Sequence, residues 1–217
     1  MSIKPREIRE LEAYLGIKPF GVLVDKSKEL DRLVDKAKKY KNLPFEEKLK
    51  KIKFLTVNAM ENAYEGMFSH PDPRRREVMR DIVYYEHPLS YALKERAGCC
   101  RYQGVLFFIL GFVSELGVKH FLRSAHVGGD IHTVFNDVYD ERGKLYRINI
   151  FTESLKDKRY DYSNLNPNLY NEIDSFWPGL LFYSYHKRDK KIVLIESLDA
   201  HLTELEGEKF HRIKLNF

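Results

Sequence analysis

Two adjacent cysteines, Cys99 and Cys100, follow Gly98 at the edge of a strongly apolar stretch. A thiol attacks only as its thiolate, so a working cysteine needs surroundings that favour negative charge. The start of a helix supplies them through unpaired backbone N–H groups and the aligned peptide dipoles. A backbone N–H at such a position can also face the oxygen that becomes negative during acyl transfer. Core filling by two small side chains and metal binding are the other uses of the pair. Neighbouring cysteines cannot staple a fold, so no disulfide framework is expected.

A base and an orienting group are available further along. His132 opens a strand-like stretch, His132-Thr133-Val134-Phe135-Asn136-Asp137-Val138, and Tyr146-Arg147-Ile148-Asn149-Ile150 follows it across a turn signal at Asp140-Glu141-Arg142-Gly143. In an even-membered hairpin, with Asp140 opposite Gly143, His132 pairs with Phe151 and Val134 with Asn149. His132 and Asn149 are then diagonal neighbours on one face, roughly 7 Å apart. A three-residue turn with Gly143 left-handed breaks that relation unless a bulge restores it. Both turns are open to the sequence.

A Gly-x-Cys at the mouth of an apolar helix, a His on a strand about thirty residues later and an Asx ending the next strand resemble the transglutaminase-like superfamily. Its pattern is a Cys followed by small and aliphatic residues, an HxW/F-x-E/N-V strand and a y-x-v-D strand. Here these are Gly98-Cys99-Cys100-Arg101-Tyr102-Gln103-Gly104-Val105-Leu106, His132 to Val138, and Tyr146-Arg147-Ile148-Asn149. The resemblance covers residues 95–152. It implies a papain-like α+β fold, with Cys100 as nucleophile, His132 as base and Asn149 as the group that orients the imidazole. Counting from Cys100 puts Gly104 and Leu106 at the small and aliphatic positions, and counting from Cys99 does not. The family usually has Asp where this chain has Asn149, and an amide can hold an imidazole but cannot stabilise imidazolium by charge.

The implied chemistry is acyl transfer on a peptide or amide, ending in hydrolysis or in transfer to an amine. Tyr84, Tyr85, His87 and Gln103 are candidates for a second oxyanion donor, and Trp177-Pro178-Gly179 for a wall of the site. The alternative is a catalytically inactive transglutaminase-like binding module. Cys99, Cys100, His126 and His132 are zinc-ligand types, but adjacent cysteines suit the usual two-residue ligand spacing poorly. His120, His186, His201 and His211 read as surface or satisfied core residues. No P-loop, dinucleotide fingerprint or His-Glu-x-x-His is present, and no metal or cofactor is expected.

The elements that must hold these residues follow from periodicity. Residues 1–17 have a helical pattern, Phe20 to Val24 is a short apolar run, and Ser27 to Lys41 reads as a helix. A third helix starts at Leu43-Pro44-Phe45, with one face running through Leu49, Ile52, Met60, Ala63 and Met67. His70-Pro71-Asp72-Pro73 is a breaker, and Val78 to Tyr85 is helical. Arg101 to Leu116, apolar on all sides, reads as a buried central helix. Strands are expected at Val118–Val127, His132–Tyr139 and Lys144–Phe151. A loop is expected at Asn164–Asn171, a second hairpin at Leu180–His186 with Lys191–Glu196, and a last strand at His211–Phe217. Helices first and strands later favour α+β over a doubly wound sheet.

The chain has 217 residues, 43% of them hydrophobic and 32% charged, enough for one sizeable core. We expect a helical N-terminal region at 1–70, possible within the same domain, and the catalytic core at 71–217. The first residues lack the apolar stretch of a signal peptide, and the best apolar run, Val105 to Val113, is half a membrane span. A cytoplasmic protein without membrane contact is therefore expected. Of the net charge of +5, residues 1–53 carry fifteen Lys or Arg against nine Asp or Glu. Such a segment reads first as solvated helix faces, and then as a contact for nucleic acid or an acidic partner. The other partner implied is a peptide or protein substrate.

Overall fold

The computed structural model describes residues 6–8, 14–126, 132–151, 182–186 and 191–195. The expected loop at Asn164–Asn171, Trp177-Pro178-Gly179 and the expected strand His211–Phe217 lie outside them. The architecture is α+β. Strand β1 (Arg6–Ile8) and a 3₁₀ turn (Pro19–Gly21) precede α1 (Lys28–Lys38) and α2 (Phe45–Ala59). Then come β2 (Glu61–Asn62), α3 (Ala63–Ser69), α4 (Pro73–Tyr84), α5 (Leu89–Glu95), β3 (Ala97–Gly98) and α6 (Cys100–Val113). The strands β4 (Lys119–His126), β5 (His132–Tyr139), β6 (Leu145–Ile148), β7 (Phe182–His186) and β8 (Lys191–Ile195) follow. They form with β1 a six-stranded sheet in the order β1-β8-β7-β4-β5-β6, antiparallel throughout.

Local chemistry accounts for most of the boundaries. Ser27 accepts a hydrogen bond from the Leu30 N–H and starts α1. Asp72 does the same for Arg74, with Pro73 in the first turn of α4. The long third helix expected from the apolar stripe is instead two. Met60 is extended, Glu61-Asn62 pair in parallel with Ala97-Gly98, and Asn62 caps the new helix α3 by accepting from the Glu65 N–H. Both halves keep their apolar face, so the stripe ran on across a break that only the contact with β3 creates. Residues 6–8, expected within a helix, are a strand because they complete the edge of the sheet against Ile192–Leu194. The second hairpin has the expected pairing, with His186 opposite Lys191.

Helix α6 is the centre of the core. Every residue from Tyr102 to Val113 is buried. Leu30, Val34 and Ala37 of α1 and Leu49, Ile52 and Leu55 of α2 share one apolar cluster with it, as do Leu122, Val134, Val138, Ile148 and Ile150 from the sheet side. Gly104 and Gly111 let the sheet come close. A Cβ on Gly104 would stand 2.7 Å from Val134 Cγ1, and one on Gly111 2.6 Å from His120 Nδ1.

His120 is thus a buried core histidine. Its Nε2 lies 2.8 Å from Asn136 Oδ1, and Asn136 Nδ2 donates to the Gly104 carbonyl at 3.1 Å. With its Nδ2 committed, Asn136 presents oxygen to the ring, so Nε2 carries the proton. Burial holds the imidazole neutral, lowering its pKa to about 4, against the opposing pull of Asn136 and Asp137. The sign follows from linkage: below about 6.5 the unfolded chain binds a proton that the folded one refuses, so stability falls as pH drops toward 4. We expect this group to cost about 2 kcal/mol between pH 7 and pH 5. Urea unfolding of the wild type and of His120→Gln should differ in pH slope by that amount.

Candidate functional site

The site is built where α6 begins. Gly98 leads in because a Cβ there would stand 2.8 Å from Met60 Sδ and 3.2 Å from Tyr102 Cβ. Cys99 is the N-cap, extended and 7% exposed, and Cys100, half-buried, is the first helical residue. The Cys99 carbonyl accepts from the Gln103 N–H and closes the first turn. Arg101 turns back onto α4, where its guanidinium donates to the carbonyls of Ile82, Val83 and Tyr85. Those carbonyls are at a helix C-terminus, where a cation is favoured.

The two thiols hydrogen-bond to each other, so ionising one holds the proton on the other. The bond from Cys100, aided by the Arg101 charge and N–H, lowers the Cys99 pKa to about 7 despite burial. The same bond, burial and the charge on Cys99 hold Cys100 well above the ordinary thiol range. A backbone hydrogen bond from Val134 on β5 works in the opposite direction on Cys100. The backbone of β5 at Val134 therefore comes within hydrogen-bonding reach of the sulfur.

The β5–β6 connection uses the three-residue turn. The Gly143 N–H donates to the Asp140 carbonyl, the Asp140 N–H to the Lys144 carbonyl, and Gly143 is left-handed at φ 77°. Asp140 Oδ1 accepts from the Arg142 and Lys144 N–H groups and fixes the turn. The register follows: Asn136 is opposite Ile148 and Asp137 opposite Arg147. This is one residue away from the even-membered pairing, so the diagonal relation of His132 and Asn149 does not form. Asn149, buried, has the parity of Thr133, and its Nδ2 donates to Thr133 Oγ1 at 3.1 Å. His132 has the parity of Val134. β5 pairs with β4 without interruption from His126–His132 to Lys119–Tyr139, and Asn149 lies just past the end of β6.

A second reading of the motif emerges from this contact. In the pattern HxW/F-x-E/N-V the histidine stands two residues before the aromatic. Two before Phe135 is Thr133, with Asp137 and Val138 at the remaining positions. The signal that could have selected this register is the charged pair Asp137 and Arg147. They sit mid-strand, opposite each other, with Arg147 Nε and Nη2 at 2.8 and 3.0 Å from the two carboxylate oxygens.

Among the other candidates, Gln103 is fully buried and its Nε2 donates to the Met60 carbonyl. His87 stacks on Tyr91 with ring centroids 4.4 Å apart and bonds Asp81 through Nε2 at 2.7 Å. Tyr84 and Tyr85 are exposed. Among the described residues no three His, Cys, Asp or Glu side chains form a metal-binding group; the side chains of His126 and His132 lie outside that set. No protein-family model, curated protein or solved structure matches the chain.

The paired thiols give a direct test. In Cys99→Ala, Cys100 loses the hydrogen bond and the neighbouring charge that raise its pKa, so its alkylation midpoint should move to lower pH. In Cys100→Ala, Cys99 loses its donor and keeps its burial, so its midpoint should move up from about 7. Iodoacetamide labelling against pH, read by peptide mass spectrometry, measures both shifts.

Proposed function

We propose that the chain is a transglutaminase-like cysteine acyl-transferase or hydrolase acting on peptides or amides through a Cys100–His132 dyad, on a papain-like core. The observation that carries this reading is the contact of β5 with the first turn of α6. Asn136 meets the Gly104 carbonyl, Val134 meets both the Gly104 Cα and the Cys100 sulfur. One helical turn back is about 5.4 Å and two strand residues back about 6.8 Å. Val134 already reaches Cys100, and His132 is the next position of the same parity along β5.

In the proposed reaction His132 takes the Cys100 proton and the sulfur attacks the carbonyl carbon. The C–N bond breaks, and the imidazolium returns the proton to the leaving amine. Water or a second amine, deprotonated by His132, then releases the acyl group and frees the thiol. Asn149 Nδ2 donates to Thr133 Oγ1 and so ties the end of β6 to β5.

A second reading is favoured by the Asn149–Thr133 hydrogen bond. If the histidine and Asx positions of the pattern are Thr133 and Asn149, neither is a base, and the chain is a binding module that keeps the cysteine without the chemistry.

The two readings separate in a Cys99→Ala background, where Cys100 is the single thiol. The dyad requires rapid alkylation well below the free-thiol value of about 8.5. It also requires that His132→Ala remove this reactivity and that Thr133→Val leave it. Equal reactivity with and without His132 would sink the dyad. Under the binding reading, Cys100 instead labels near the free-thiol value of about 8.5 whether or not His132 is present.

A further inference from the structure

Away from Cys100, helices α1, α2 and α5 frame an open groove of about 510 Å³. Its floor is apolar, made by Leu33, Phe54, Leu55, Ala59 and Leu93. Phe54 is 68% exposed, although it sits in the middle of α2 with buried Leu55 beside it. The rim is basic. Lys28, Arg32 and Lys36 stand four residues apart along α1, and Arg96 closes the far side, with Glu29 as the one carboxylate in the lining. None of these four cations has an ion-pair partner among the described residues.

We propose that this groove docks an acidic amphipathic helix of a partner protein. Apolar side chains at helical spacing would cover Phe54, Leu33 and Leu93, and carboxylates on the flanks would meet Lys28, Arg32, Lys36 and Arg96. The charge arrangement selects this occupant. The three α1 cations span about 12 Å, two turns of a helix, which matches acids repeated at i and i+4 along a parallel or antiparallel neighbour. A fatty acid brings one anionic head and needs an enclosed tunnel for its tail. Nucleic-acid phosphates would use the cations but not a floor of leucines. The proposal also gives the net positive charge of residues 1–53 an address, since three of the four cations belong to that segment.

The experiment uses the full chain and a fluorescent amphipathic peptide with leucines on one face and glutamates on the other. Fluorescence anisotropy should give saturable binding that weakens with salt. Phe54→Ala should weaken it about tenfold, as loss of a central aromatic anchor does. Arg32→Glu combined with Lys36→Glu should weaken it at least as much, and Cys100→Ala not at all. All these side chains except Cys100 are at the surface, so circular dichroism should report unchanged folding. Three outcomes overturn the proposal. One is no saturable binding. Another is binding indifferent to Phe54 and to the charge reversals. The third is a single-stranded oligonucleotide that displaces the peptide and binds Phe54→Ala as tightly as wild type, which would make the groove a nucleic-acid site.

Discussion

Helix α6 has no polar face, and the rest of the molecule is arranged to cover it. A helix apolar on every side is stable in water only when surrounded. Here α1 and α2 close one side, and β4 and β5 close the other. The polar groups drawn into this shell are those that can be satisfied inside it. Gln103 donates to Met60, and Asn136 serves both the Gly104 carbonyl and His120. Each pairing ties α6 to the element that covers it, so removing one would leave a buried polar group without its partner. The two glycines of α6 on the sheet side have the same cause. Side chains at 104 and 111 would push away Val134 and His120.

The cysteines inherit their position from this constraint. The helix starts where its cover ends, so Cys99 is inside and Cys100 is at the boundary. Two opposed effects then meet on the same atoms. Burial disfavours either thiolate, while the helix start, the Val134 N–H and the nearby guanidinium favour one. Arg101 is held on the carbonyls that end α4, and from there its guanidinium lowers the Cys99 pKa both by its charge and by a side-chain hydrogen bond.

What could be read from the sequence was what local chemistry decides. The all-apolar run 101–116 fixed the identity of α6, Ser27 marked a helix start, and the β7–β8 hairpin followed from alternation, whereas Asp72, read as part of a breaker, caps a helix that begins five residues before Val78. The break at Met60–Asn62, the strand at Arg6–Ile8 and the short helix α5 depend on partners distant in sequence. The turn after β5 was a different failure. Asp140-Glu141-Arg142-Gly143 is compatible with two loop lengths, and the choice is made by a pair ten residues apart, Asp137 and Arg147. Buried Asp137 also meets Arg123, with Nε 3.3 Å from Oδ2. A one-residue slip of β6 would take Arg147 away from Asp137 and leave the buried carboxylate with Arg123 alone.

The same register limits what the site can be. Along an unbroken strand, consecutive residues face opposite ways, so His132 and Thr133 cannot share a face. Val134 reaches Cys100 and Asn149 reaches Thr133. Residue 132 therefore belongs with the cysteine, and residue 133 with the amide. A Cys-His-Asn triad in one plane would need an extra residue in β5 between 132 and 134, and the ladder with β4 has none. Residues 132 and 149 therefore come from positions of opposite parity in the β5–β6 register, and the buried carboxylate of Asp137, set against Arg147, holds that register.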